Sequence, residues 1–171
     1  DDESAATMPR LLYGTAWKST QTADLVYTAL TQGFRGIDTA GQRKHYREDL
    51  VGLGVQRACE QLNLSEATFG YKPSKYNVTL LTQVYPLTGQ DLKGPVPYNV
   101  HAPVADQVCA SFQSSLRNLH PGSEIPDVRT LIAKYAVRAR RTSEREDAPP
   151  QQVWIDSYLL HSPLQTFQST M

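Results

Sequence analysis

The sequence predicts an α/β fold in which parallel strands are joined by crossover helices. Short apolar runs bounded by turn residues recur along the chain, and segments with helical apolar spacing lie between them. The resulting order is strand, helix, strand, helix, strand, helix, strand. This alternation is typical of parallel sheets, so a doubly wound sheet and a β/α barrel both remain open at this stage.

The first part of the chain predicts two strands and two helices. Residues 11–16 predict a buried strand that ends in a loop, and residues 34–39 predict the second strand. Between them, Gly33 is placed to end a helix. That helix has an apolar stripe at helical spacing, formed by Val26, Ala29, Leu30 and Phe34. The second helix has a similar face, formed by Leu50, Val51, Gly54, Val55, Ala58 and Leu62.

The second part of the chain predicts two further strands around a third helix. Residues 78–84 and 153–160 predict strands, and residues 88–101 predict a loop rich in Gly and Pro. The helix follows Pro103, and its stripe is Val104, Val108, Phe112, Leu116 and Leu119. Residues 120–152 are longer than a usual helix-to-strand connection, and their middle, 129–141, predicts a weak basic helix.

Composition and charge exclude several classes of protein. Lys and Arg number 17, as do Asp and Glu, so neither nucleic acid nor an anionic membrane is an expected partner. No apolar run approaches the length of about 18 residues that a membrane-spanning helix needs. The acidic start, with Asp1, Asp2 and Glu3, does not resemble a secretory signal. We therefore expect a single cytoplasmic domain over residues 1–171, with Cys59 and Cys109 as reduced core thiols.

Polar side chains follow the predicted strands, where parallel β/α folds carry their chemistry. Asp38, Gln83 and His161 each lie at or just after a strand end, and Tyr46 follows the second strand. An acid, a phenol and an imidazole at one edge suit general acid–base catalysis. Structural alternatives stay open: the Tyr46 ring can pack on the core, and His161 can be a hydrogen-bonded turn residue. Gln83 can simply satisfy neighbouring polar groups, and Trp17 can be a packing residue.

Several of these segments resemble aldo-keto reductases. Residues 14–17, Gly-Thr-Ala-Trp, are similar to the opening loop of that family. Residues 36–40, Gly-Ile-Asp-Thr-Ala, and 45–52, His-Tyr-Arg-Glu-Asp-Leu-Val-Gly, resemble its Asp and Tyr signature. Residues 114–119 and 155–163 are similar to its third helix and fourth strand. The long spacing between the Asp and the Tyr resembles fungal-type NADP-dependent members.

The resemblance implies a fold, an activity and a set of site residues. The fold is part of a (β/α)8 TIM barrel, three βα units and a fourth strand, with an insertion at 120–152. The activity is carbonyl reduction by NADPH on a small substrate, without a metal. Tyr46 takes the place of the proton donor, with Asp38 and His161 beside it and Gln83 where the family has Lys. The nicotinamide is expected near Thr15, Ala16, Trp17 and Asp38.

Two departures from the family affect these expectations. Gln83 can donate a hydrogen bond but has no charge, so proton transfer should be impaired. A β/α barrel usually takes about 250 residues, and this chain ends just past its fourth strand, so most groups that hold NADPH should be missing. A homo-oligomer or a complementing half-barrel is then an expected partner. The alternative is a truncated non-redox relative: a pseudoenzyme, a binding or assembly module, or an isomerase.

Overall fold

The computed structural model describes residues 9–62, 78–130, 132 and 155–162, which form an α/β fold. Its strands are β1 (Tyr13–Gly14), β2 (Gly36–Asp38), β3 (Thr79–Val84) and β4 (Ser157–Leu160). Its helices are α1 (Thr22–Thr31), α2 (Glu48–Gln61) and α3 (Val104–Leu119). Two short 3-10 helices, Ser19–Gln21 and Leu87–Gly89, lie in loops after β1 and β3. The predicted α/β class is confirmed.

The four strands form one parallel sheet in the order β1-β2-β3-β4. Gly14 is in register with Asp38, and Asp38 with Leu81. On the far side of β3, Gln83 is in register with Leu159. Because all strands run the same way, their carboxyl ends lie along one edge of the sheet. The polar residues predicted at the strand ends therefore share that edge.

The core lies between the sheet and a layer of helices in which α1 packs on α2 and α2 packs on α3. Its fully or nearly fully buried members include Val26, Leu30, Ile37, Val51 and Leu80. Close helix packing depends on glycine: a Cβ added to Gly54 would lie 2.6 Å from the Ala23 carbonyl oxygen of α1. The apolar stripes predicted for the first two helices thus face the core.

Helix α3 differs from its predicted stripe. Leu116 and Leu119 are buried as expected, whereas Val104 in the first turn is 43% exposed. The buried face also contains Ser115, whose hydroxyl donates a hydrogen bond to the Glu48 carboxylate. A polar residue occupies this part of the interface because a buried carboxylate requires hydrogen-bond donors around it.

The prediction of a buried first strand is wrong at its start. Leu11 and Leu12 are 70% and 40% exposed, because β1 is an edge strand of the described sheet and begins only at Tyr13. Phe34 lies beyond the end of α1, and its ring packs edge-on against Tyr13 at 5.7 Å. Gly33 ends the helix as predicted, with a left-handed φ of 106°.

Other predictions are met in part. Residues 88–101 form a loop, as expected. Most of the predicted basic helix at 129–141, and the start of the strand predicted at 153–160, lie outside the described residues. Cys59 is buried on α2 and Cys109 is half-buried on α3, and both are free thiols. Within the described part of the chain, no helix has the length and hydrophobicity needed to cross a membrane.

Candidate functional site

Three of the predicted site residues form a hydrogen-bonded chain across neighbouring strands. The Gln83 side-chain amide donates from Nε2 to Asp38 Oδ1 at 3.2 Å. Its oxygen, Oε1, lies 2.7 Å from His161 Nδ1. His161 is fixed at the end of β4 by its backbone N–H, which donates to the Val84 carbonyl at 3.0 Å. Gln83 is therefore the bridge between Asp38 and His161.

Two tyrosines complete this site. The Tyr85 ring stacks on His161 with centroids 3.7 Å apart and planes 15° apart. The Tyr46 ring also contacts Tyr85, with centroids 6.3 Å apart and planes 54° apart. Burial raises the pKa of Tyr85 well above its usual range, and hydrogen bonding to Tyr46 adds to the shift. We refer below to Asp38, Tyr46, Gln83, Tyr85 and His161 as the strand-end cluster.

Tyr85 is not among the site residues predicted from the sequence. It is 7% exposed, and its backbone carbonyl accepts hydrogen bonds from the Tyr98 hydroxyl at 2.7 Å and from Gln90 Nε2 at 3.3 Å. The loop after β3 therefore fixes its position. The available signal was its alternation with Gln83, since residues i and i+2 of an extended chain point to the same side.

The loop that carries Tyr46 is held by Gln42, which is also not among the predicted site residues. Gln42 is 2% exposed, and its Nε2 donates to the Gly89 carbonyl at 2.9 Å. The Gln42 side-chain oxygen, Oε1, accepts a hydrogen bond from the His45 backbone N–H at 2.9 Å. The Gln42 backbone carbonyl accepts one from the Tyr46 backbone N–H at 3.0 Å. These bonds join the loops after β2 and β3, which brings Tyr46 towards Tyr85.

The residues predicted to contact the nicotinamide have different roles in the structure. Thr15 is 1% exposed, and both its N–H and its hydroxyl donate to the Asp38 carbonyl at 3.0 Å, so this hydroxyl is committed to the fold. Ala16 is half-buried beside it. Trp17 is 72% exposed, and its ring contacts that of His45 at 3.7 Å. Thr15 therefore has no free hydroxyl for a ligand, whereas the Trp17 side chain is largely exposed.

Trp17 is held in an unusual backbone conformation. Its φ is 62° and that of Ser19 is 49°, both in the left-handed region that non-glycine residues rarely adopt. The Trp17 N–H donates to the His45 carbonyl at 2.7 Å. This bond ties the loop after β1 to the loop after β2, while the Trp17 side chain stays largely exposed.

A buried carboxyl group lies behind the strand-end cluster. Glu48, the first residue of α2, is 5% exposed. It accepts hydrogen bonds from the hydroxyls of Thr82 at 2.5 Å and Ser115 at 3.1 Å, and from Asn118 Nδ2 at 3.2 Å. Burial raises the pKa of Glu48, and the three hydrogen bonds counter part of that effect. Glu48 thus links β3, α2 and α3, a structural role that the sequence did not reveal.

A cleft of about 180 Å³ opens beside Tyr46. It lies between the loop after β2, the C-terminal half of α3 and residues 95–97. Its lining includes Arg43, Asp49 and Asn118. Asp49 is paired with Arg47 through two hydrogen bonds of 2.9 and 2.7 Å, which lower the pKa of Asp49. The volume suits a molecule of a few heavy atoms, so a small compound can approach Tyr46 from this side.

Taken together, the arrangement offers a phenol, an imidazole and a carboxylate at one sheet edge, next to an exposed indole. Such a set can orient a small polar molecule and exchange a proton with it. A scan of the chain against known protein families finds no matching family, and a search of curated proteins finds no match either.

Proposed function

We propose that the chain has an aldo-keto reductase-like β/α barrel fold and reduces a small carbonyl compound with NADPH, with Tyr46 as proton donor. The observation that carries this proposal is the hydrogen-bonded chain Asp38–Gln83–His161 beside Tyr46 at the carboxyl edge of the sheet. Parallel β/α barrels carry their catalytic residues at that edge, contributed by several strands.

The sheet order supports the barrel over the doubly wound alternative. In doubly wound sheets the strand order reverses at a switch point. Here the order is sequential, β1-β2-β3-β4, and each helix packs on the next. A sheet that always adds its next strand on the same side is the arrangement from which a barrel closes.

Each residue of the strand-end cluster has a role in this proposal. Bound NADPH supplies a hydride to the carbonyl carbon. The Tyr46 hydroxyl donates a proton to the carbonyl oxygen, Asp38 and Gln83 hold His161 against the ligand, and the exposed Trp17 indole covers one side of it. The cleft beside Tyr46 restricts the substrate to a small compound.

Because Gln83 is neutral, the proposed reduction should be slow. In the family the corresponding Lys ammonium stabilises a phenolate and so lowers the pKa of a phenol from about 10 towards the operating pH. The Gln83 amide is neutral, so this stabilisation is missing. The neutral Gln83 also favours a second candidate function. Its amide bridges Asp38 and His161 without a cation, as expected for a binding module that has lost hydride transfer.

We also propose that the protein is cytoplasmic. Cys59 and Cys109 lie on adjacent helices as free thiols, which is the state that a reducing compartment maintains. A cytoplasmic location would give the protein access to NADPH and small carbonyl metabolites.

The test is NADPH oxidation with a panel of small aldehydes and ketones. Tyr46→Phe should lower turnover by about 10²-fold or more, because general acid catalysis contributes at least that much. Tyr27→Phe, which removes a phenol hydroxyl on α1, is the matched control and should leave turnover unchanged.

Gln83→Lys separates the two candidates. Under the reductase proposal it should raise turnover by an order of magnitude or more. The restored ammonium would stabilise a phenolate and so lower the pKa of a neighbouring phenol by several units. If Gln83→Lys stays inactive while carbonyl compounds still bind, the reductase proposal fails and the binding module is favoured.

A further inference from the structure

The bridge through Gln83 determines which nitrogen of His161 carries a proton. An ionised carboxylate accepts hydrogen bonds and cannot donate them, so Asp38 requires the amide nitrogen of Gln83. The Nε2 to Oδ1 distance of 3.2 Å agrees with this orientation. The Gln83 oxygen must then face His161 Nδ1, at 2.7 Å, and an amide oxygen only accepts. His161 Nδ1 therefore carries the hydrogen.

A neutral imidazole has one donor and one acceptor nitrogen. With the hydrogen on Nδ1, His161 presents Nε2 as a lone pair. The ring is held in place by its stacking on Tyr85 and by the backbone bond to Val84. Because the side chain is exposed, a ligand can reach this nitrogen. His161 can thus act as a base, in the same way that a carboxylate orients histidine in other catalytic sites.

The proposed proton donor, Tyr46, also contacts Tyr85. Tyr46 approaches Tyr85 with ring centroids 6.3 Å apart, while His161 stacks on Tyr85 at 3.7 Å. Since Tyr46 and His161 both contact Tyr85, the phenol and the imidazole border one aromatic side chain at the sheet edge. Such a pair of acid and base is the requirement for enolisation.

We infer that the strand-end cluster catalyses NADPH-independent proton exchange at the carbon next to a carbonyl group, with His161 Nε2 as base and Tyr46 as acid. His161 Nε2 takes the proton, and the C–H electron pair forms a C=C bond. The carbonyl π electrons move to oxygen, which takes the Tyr46 proton to give the enol. The His161 imidazolium exchanges its new proton with solvent, and reversal then delivers a solvent proton to carbon and returns the hydroxyl proton to Tyr46. Gln83 is the positioning residue, and the inference uses the carbonyl site of the proposed function without its hydride transfer.

The activity is tested by deuterium exchange of hydroxyacetone in D2O without NADPH, followed by proton NMR. Exchange by the wild-type protein should exceed that in buffer by about 10²-fold, the lower end of general base catalysis. His161→Gln and Tyr46→Phe should each remove at least tenfold of it. His101→Gln, an exposed loop histidine, is the matched control and should retain full exchange. Exchange at the buffer rate, or equal rates for His161→Gln and wild type, overturns the inference.

The positioning role has a readout that does not depend on activity. Long-range 15N–1H NMR at pH 8.5, where unperturbed imidazoles are neutral, reports the tautomer, and His161→Gln assigns the His161 signal. We expect the Nδ1–H form in the wild type. In Gln83→Lys the ammonium can only donate to Nδ1, so the hydrogen should move to Nε2 and exchange should fall. If the Lys variant does not fold, Gln83→Met, which has a side chain of similar length, takes its place in this test. It should weaken the preference for the Nδ1–H form. A wild-type Nε2–H form overturns the inference.

The two proposals fail separately. Deuterium exchange without any NADPH oxidation leaves this inference standing and refutes the reductase. NADPH oxidation without exchange refutes the inference and leaves the reductase standing.

Discussion

Removal of the buried Glu48 carboxyl should destabilise the protein because it joins three elements. Glu48→Ala leaves the hydroxyls of Thr82 and Ser115 without their acceptor, and both side chains are fully buried. Each unmet buried donor costs about 1–3 kcal/mol. Asn118 is only half-buried and can turn to water. Loss of the buried charge offsets part of this cost, so we expect a decrease of about 3 kcal/mol in the free energy of unfolding.

The size of this decrease should depend on pH. Burial raises the pKa of Glu48 above its unfolded value, so the folded state binds the proton more tightly. The stability that this adds is fully present below the unfolded glutamate pKa of about 4.3 and is lost as pH rises through the raised folded value. The difference between wild type and Glu48→Ala should therefore be largest in mild acid and smaller at higher pH.

Urea unfolding at several pH values measures both effects. Glu60→Ala, an exposed position on the same helix, is the control and should change stability by no more than about 0.5 kcal/mol. Glu48→Gln keeps an acceptor for Thr82 but turns an amide group towards Asn118, so its cost should be intermediate. A loss below about 1 kcal/mol for Glu48→Ala, or a difference that grows with rising pH, would refute the reasoning.

Three further perturbations test the packing. Gly52→Ala should lower the free energy of unfolding by about 2 kcal/mol or more in a urea titration, because its Cβ would meet the backbone of α3. Gly14→Ala, where the added Cβ has open space, is the control and should cost far less. Leu80→Ala should cost about 2–5 kcal/mol, since this core side chain is 1% exposed, and a value under 1 would show that the core is loosely packed. Arg57→Ala should cost about 0–1 kcal/mol, because its ion pair with Asp24 is exposed, and a larger loss in thermal unfolding would contradict this.

Local pattern predicted most elements of the fold. The stripe through Val26 and Leu30 faces the core, and Gly33 ends its helix, because both features depend on neighbours within one or two helical turns. The predicted third strand agrees with β3 for the same reason. The first strand failed at Leu11, because exposure at a sheet edge depends on which strands flank it and not on local sequence.

The buried polar groups could not be predicted in this way. The local sequence predicts Glu48 to be a solvent-exposed residue at a helix N-terminus, where its negative charge interacts favourably with the helix dipole. Its burial follows from contacts with Ser115 and Asn118, which are 67 and 70 residues away along the chain. The same holds for Ser115 on the buried side of α3, next to the predicted apolar stripe.

The sequence by itself determined the order of strands and helices, and it put Asp38, Gln83 and His161 at strand ends, because apolar periodicity and turn residues are local properties. Only the tertiary structure decided that these three side chains touch. Gln83 reaches Asp38 across 45 residues and His161 across 78, and that contact depends on β3 lying between β2 and β4. Strand neighbours are chosen by packing of the whole sheet against its helices, so the site arises where distant segments meet.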